Sequence, residues 1–265
     1  MSISLYYKGL DAEDRIFAKS PDESSALAKG TLYEAWFDVL QTSPWYREIA
    51  KTGIYPSKLA QDTWEYFGDL TNVKFDDWWL ETGFRIFAEA VPYFPIQVSD
   101  LDIEIKHAKR DDLPPILMIE VPLNLSRAAL QQQFDEILRA HAAFLEDDRW
   151  NRSTAPVHQY RESKLTYQTI KRWLQVYKDY ERLKQEENIT LYDFALRYKL
   201  IPKFKKQLDD AQRLTPYDRQ VLSNATSDIL KPIRNIMANA TEMQFPNSSQ
   251  HEWVTVKRAN NSTDE

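Results

Sequence analysis

The chain has 265 residues, 43% of them apolar and 13% aromatic, no cysteine, and a formal net charge of −6. Without cysteine, disulfides, thiolate metal sites and cysteine nucleophiles are excluded. No apolar run approaches the roughly 18 residues of a membrane span, and Met1-Ser2-Ile3-Ser4 opens no signal peptide, so a soluble cytoplasmic protein is expected.

All five glycines lie in the first 83 residues and none are clustered, which argues against the phosphate-cradling loops of nucleotide-binding folds. Charge is unevenly spread. Residues 1–150 carry 15 basic against 26 acidic side chains, and residues 151–235 carry 17 against 10. An acidic front joined to a basic back suggests two surfaces, the second suited to an anionic partner; uneven sampling of solvated faces is the plain alternative.

In chain order, the first thirty residues read as an N-terminal arm with one alternating run from Ile3 to Tyr7. Thr31-Leu32-Tyr33-Glu34 is a capping box ahead of a helical stripe of Leu32, Ala35, Trp36, Val39 and Leu40. Ser43-Pro44 opens a short helix ending at Gly53, and Pro56-Ser57 opens another running to Gly68. The densest aromatic stretch follows, from Trp64 to Val91. Here Asp76 is expected to cap a helix and Phe75 to staple onto Leu80, with Phe75, Trp79, Gly83, Ile86, Phe87 and Ala90 on one face. Trp36, Trp64, Phe67, Phe75, Trp78, Trp79 and Phe87 are the candidate core or interaction aromatics.

The period then changes to two. Ile96–Val98 and Leu101–Ile105, a charged turn, and Ile116–Val121 predict a small antiparallel β-hairpin. Ser126 caps a long helix through Leu130, Phe134, Ile137, Leu138, His141 and Leu145, spaced to pack on a sheet or helix cluster. Helices are predicted from Thr166 to about Glu187, from Thr190 to Tyr198, from Pro202 to about Arg213, and from Thr215 to Ala240 through Pro232. The fold class is therefore α+β, mainly α, with an all-helical C-terminal part. The expected organisation is an arm (1–30), an aromatic-rich α+β domain (31–148), a linker (149–165), a basic helical domain (166–246) and a disordered tail (247–265).

Two constellations bear on function. Leu191–Tyr198, a turn at Lys199-Leu200-Ile201 and Pro202–Gln212 have the size of a helix-turn-helix, although the usual turn glycine is absent near Lys199. Lys171, Arg172, Lys178, Arg197, Lys199, Lys203, Lys205 and Lys206 are the candidate nucleic-acid contacts, against a solvated bundle face as the alternative. Asp100, Asp102, Glu104 and Lys106 alternate along one strand opposite Glu120, the minimal pattern of a magnesium-dependent nuclease, which exposed hairpin polarity explains equally well. His141 falls in an apolar helical phase; His107, His158 and His251 show no metal-ligand spacing. No catalytic residue, metal or cofactor is expected.

Phe67–Glu89 (F-G-D…F-D-D-W-W…G…I-F-A-E), Ile119–Ser126 (I-E-V-P-L-N-L-S), Trp173–Tyr177 and Thr190–Ala195 together resemble a family of uncharacterised bacterial proteins met in prophages and integrative elements. The likeness spans about residues 30 to 246 and carries no known activity or site residues. It implies a mobile-element setting. The leading expectation is a non-enzymatic accessory or regulatory protein binding DNA through its basic helices. Alternatives are a protein-interaction, scaffold or host-takeover factor using the aromatic module, and a nuclease at the hairpin.

Overall fold

The computed structural model describes residues 5–7, 17–18, 20–89, 121, 124–140, 155–159, 164–201 and 214–256. They form β1 (Leu5–Tyr6), β2 (Phe17–Ala18), α1 (Pro21–Ala28), α2 (Leu32–Thr42), α3 (Pro44–Thr52), α4 (Lys58–Phe67), α5 (Phe75–Trp78), a π turn (Trp79–Gly83) and α6 (Phe84–Ile86). After these come α7 (Arg127–Ala140), α8 (Tyr167–Glu187), α9 (Leu191–Arg197), α10 (Pro216–Thr241) and α11 (Glu252–Val256).

The fold class is corrected from α+β to mainly α. Among the described residues the only strand pairing is β1 with β2, antiparallel and two residues on each side, too short to make a layer of a core. It lies near the N-terminus rather than at the predicted hairpin. Residues 96–120, with Asp100, Asp102, Glu104, Lys106 and Glu120, lie outside the described residues, as do His107 and His141.

Polar side chains start most helices. Ser20, Thr31, Ser43, Ser57, Thr166, Thr190 and Thr215 each accept a hydrogen bond from an N–H of the following first turn. Glu34 does not close the expected box onto Thr31; its carboxylate takes the Gly30 N–H at 2.7 Å. Asp76 does not cap α5 either, since Lys74 occupies that place without a side-chain bond. Asp76 instead meets the Lys29 ammonium at 2.7 Å and accepts from the Ser25 hydroxyl at 2.9 Å, fastening α5 to α1.

The main core is aromatic. Trp36, Phe67, Trp79 and Phe87 are at most 1% exposed, and Phe75 and Trp78 join them. Phe67 stacks on Trp78 at 5.4 Å and Trp79 on Phe87 at 5.7 Å. Tyr7 packs against Trp79 and donates to the Phe84 carbonyl at 3.2 Å. Burial pushes its phenol up to about 12, with a hydrogen bond from Ser24 pulling the other way.

That core takes side chains from both predicted domains. Ile170 and Leu174 of α8 and Ile233, Ile236, Met237 and Ala240 of α10 belong to it, and Phe245 stacks on Trp36 at 5.1 Å. Within the stretch read as a linker, Val157 is 1% exposed and its N–H donates to the Ile86 carbonyl at 2.9 Å. A smaller cluster of Val176, Tyr180, Leu183, Phe194 and Leu230 continues between α8, α9 and α10. Residues 247–256, expected as tail, are ordered onto α10: Asn239 donates to the carbonyls of Asn247 and Ser249.

Candidate functional site

The seven aromatics named from the sequence are brought together, but inward. Trp64 is the partly buried member, its ring 5.3 Å from that of Tyr46. Their number made them candidates for a contact surface; burial spends them on the core.

Among the described residues, four of the eight exposed large apolar side chains lie at the corner joining α3 and α4; the others are Leu80, Val121, Phe134 and Tyr217. Pro44 presets the first turn of α3 and Ser43 caps it, and Gly53 ends it in the left-handed conformation (φ 65°), its N–H donating to the Ile49 carbonyl at 2.8 Å. The Thr52 hydroxyl accepts from the Ile54 N–H at 3.2 Å and donates to the Glu48 carbonyl, so the turn is braced. Ser57 then caps α4, its Oγ accepting from the Ala60 N–H at 3.1 Å. The inner face of α4 is Ala60, Thr63 and Phe67. Beneath it Tyr46 donates to the Gly68 carbonyl at 2.7 Å; burial, then Asp69 and Tyr55, raises its phenol well above the ordinary range.

On the outside stand Ile54 at 71% exposure, Tyr55 at 37%, Leu59 at 44% and Tyr66 at 38%. Leu59 and Tyr66 are seven apart and share one face of α4. The rim carries both signs, with Lys58 bonded to Asp62 at 2.7 Å and Gln61 to Glu65. Glycine and proline at 53 and 56 marked a turn in the sequence, but nothing there showed that the apolar residues around it face water.

Two of the predicted nucleic-acid contacts are neutralised by acids. Lys171 sits against Asp38, with Glu34 at 3.8 Å. Burial opposes its charge, yet Asp38, Tyr167 and Glu34 leave it above its ordinary value. Arg197 closes on Glu187 at 2.7 Å. Two neighbouring arginines behave alike, Arg182 with Glu186 and Arg234 with Glu181. Arg172 is exposed on α8. Lys178 is held low by burial and by the nearby cations Lys171 and Arg47, with Asp38 pulling the other way. Lys199 occupies the left-handed conformation (φ 53°) at the place where the motif normally has glycine. Lys203, Lys205 and Lys206 lie outside the described residues.

Among the described residues no three His, Asp or Glu side chains are grouped to hold a metal ion, and no helix is long and apolar enough to cross a membrane. In comparison with known proteins, the chain matches no family, no curated protein and no solved structure.

Proposed function

We propose that this chain is a non-enzymatic protein-binding factor whose contact surface is the α3–α4 corner. One observation carries the reading: four large apolar side chains are exposed at this corner, Ile54 and Tyr55 on the capped turn and Leu59 and Tyr66 on the outer face of α4. Apolar side chains on a braced turn and a capped helix lose little conformational freedom on binding, which favours them as anchors. The setting in a bacterial mobile element rests on the sequence resemblance alone. DNA binding is the weaker reading, because Lys171 and Arg197 already close on acids and would exchange those partners for phosphates.

The test is capture of partners from cells carrying the element, using wild type and an Ile54→Asp/Leu59→Asp double variant, with and without nuclease. A partner retained after nuclease and lost with the double variant is expected. Capture that the variant leaves unchanged, or that nuclease abolishes, overturns the proposal. Both substitutions fall on exposed positions, so the unfolding midpoint should stay close to that of wild type.

A further inference from the structure

Lys171 and Lys178 are seven residues apart on α8 and so share one side of that helix. Lys171 lies there against Asp38 of α2, with Glu34 at 3.8 Å. The other acids around Lys178 are engaged as well. Glu181 is held by Arg234 at 2.7 Å, and Asp179 accepts from Gln175 at 3.1 Å with Arg182 at 3.9 Å. Among the described residues, Lys178 is left with no hydrogen bond or ion pair of its own.

The cation nearest in kind is Arg47, at the start of α3. It donates from Nε to the Gln41 carbonyl at 2.8 Å, which fixes the guanidinium and leaves its two terminal nitrogens without an acceptor among the described residues. Lys178 is exposed, so reagents in solution reach it. Partial burial of the amine disfavours its charged form; Asp38 opposes this, and Lys171 and Arg47 add to it, leaving the lysine below its ordinary value. A lysine attacks an electrophile only as the unprotonated amine, so an unpaired lysine among cations reacts ahead of its neighbours. A guanidinium with a free fork binds phosphoryl oxygens well.

We propose that Lys178 is a site of covalent acylation by acyl phosphates, with the Arg47 guanidinium holding the phosphoryl end of the reagent. The amine lone pair attacks the carbonyl carbon and an N–C bond forms. The C–O bond to phosphate breaks, phosphate leaves with the electron pair, and the proton from nitrogen passes to it. The products are an uncharged acyl-lysine and inorganic phosphate. Acylation also ends the repulsion of Lys178 by Lys171 and Arg47.

The experiment treats the full chain with acetyl phosphate at pH 7.5 and follows each lysine by peptide mass spectrometry. Lys58 is the reference, being exposed and bonded to Asp62. Lys178 should be acetylated several-fold faster than Lys58, and this ratio should shrink with the uncharged N-hydroxysuccinimide ester of acetic acid. In Arg47→Gln the two reagents should give the same ratio, because the phosphoryl contact is gone. Lys171→Gln releases Asp38 to pair with Lys178 and should slow its labelling by both reagents. Asp38→Asn should speed it. A misfolded variant would instead bring all lysines to similar rates, so opposite responses of these two variants report on the cluster itself. Lys178 labelled no faster than Lys58 overturns the proposal. So does a wild-type ratio equal for both reagents, or labelling that Lys171→Gln and Asp38→Asn leave unchanged.

Discussion

Gly83 decides how two adjacent tryptophans can both be buried. Neighbours in an α-helix point about 100° apart, yet Trp78 and Trp79 are 3% and 0% exposed. Both keep ordinary helical dihedrals and are buried on different partners, Trp78 on Phe37 and Phe67 and Trp79 on Tyr7 and Phe87, while the π turn Trp79–Gly83 rephases only the residues that follow. Trp78 donates its indole N–H to the Phe67 carbonyl at 2.9 Å and Trp79 donates to the Ser24 hydroxyl at 2.8 Å, so both polar ends are satisfied. A Cβ on Gly83 would come within 2.8 Å of both rings. Helix propensity alone favours alanine there by about 1 kcal/mol. Overpacking two rigid rings costs about 1–3 kcal/mol and should win. Gly83→Ala is therefore expected to be destabilising in urea unfolding; an unchanged or higher midpoint would show that the rings can move aside.

At the scale of elements, starts and stops read well from sequence and faces read less well. Thr215 and Asp218 form the full reciprocal capping box, and Ser57 with Gly68 bounds α4 as expected, because these bonds are local. Asp76 missed its assigned cap because a carboxylate reaching Lys29 and Ser25 gains two partners on another helix, and no local pattern reveals that. The amphipathic spacing of α7 predicted a packed helix; none of its residues is buried, and Phe134 is 40% exposed. Periodicity marks a face without naming what covers it. Lys199 gives a test at this scale. A left-handed conformation strains an L-residue by about 1 kcal/mol or more, so Lys199→Gly should stabilise the α9 turn, offset in part by added unfolded-state entropy. A net gain of up to about 1 kcal/mol in the unfolding free energy is expected, and a net loss would mean that the lysine side chain stabilises the turn.

For the whole molecule, the two charge-defined halves do not correspond to two cores. α10 lies against α2, α3, α8 and α9, and its Ile233, Ile236, Met237 and Ala240 complete the pocket around Trp36. Removing residues 166–265 would open that pocket and expose several aromatic rings, each worth about 2 kcal/mol or more of burial. The fragment 1–165 should lack the sharp near-ultraviolet circular dichroism of fixed tryptophans, and the intact chain should unfold in one transition by both fluorescence and far-ultraviolet signals. Two separated transitions would restore the division into independent domains.

By itself the sequence determined the helical character, most helix boundaries and the aromatic composition of the core, since caps, proline, glycine and side-chain volume act over a few residues. Tertiary structure alone decided which aromatics face inward, which cations find acids, and that Ile54, Tyr55, Leu59 and Tyr66 stay in water. It also decided that the ring of His251 lies against a carboxylate nine residues away. Those outcomes depend on elements distant in the chain meeting in space, and one chain's local pattern holds no record of which ones meet.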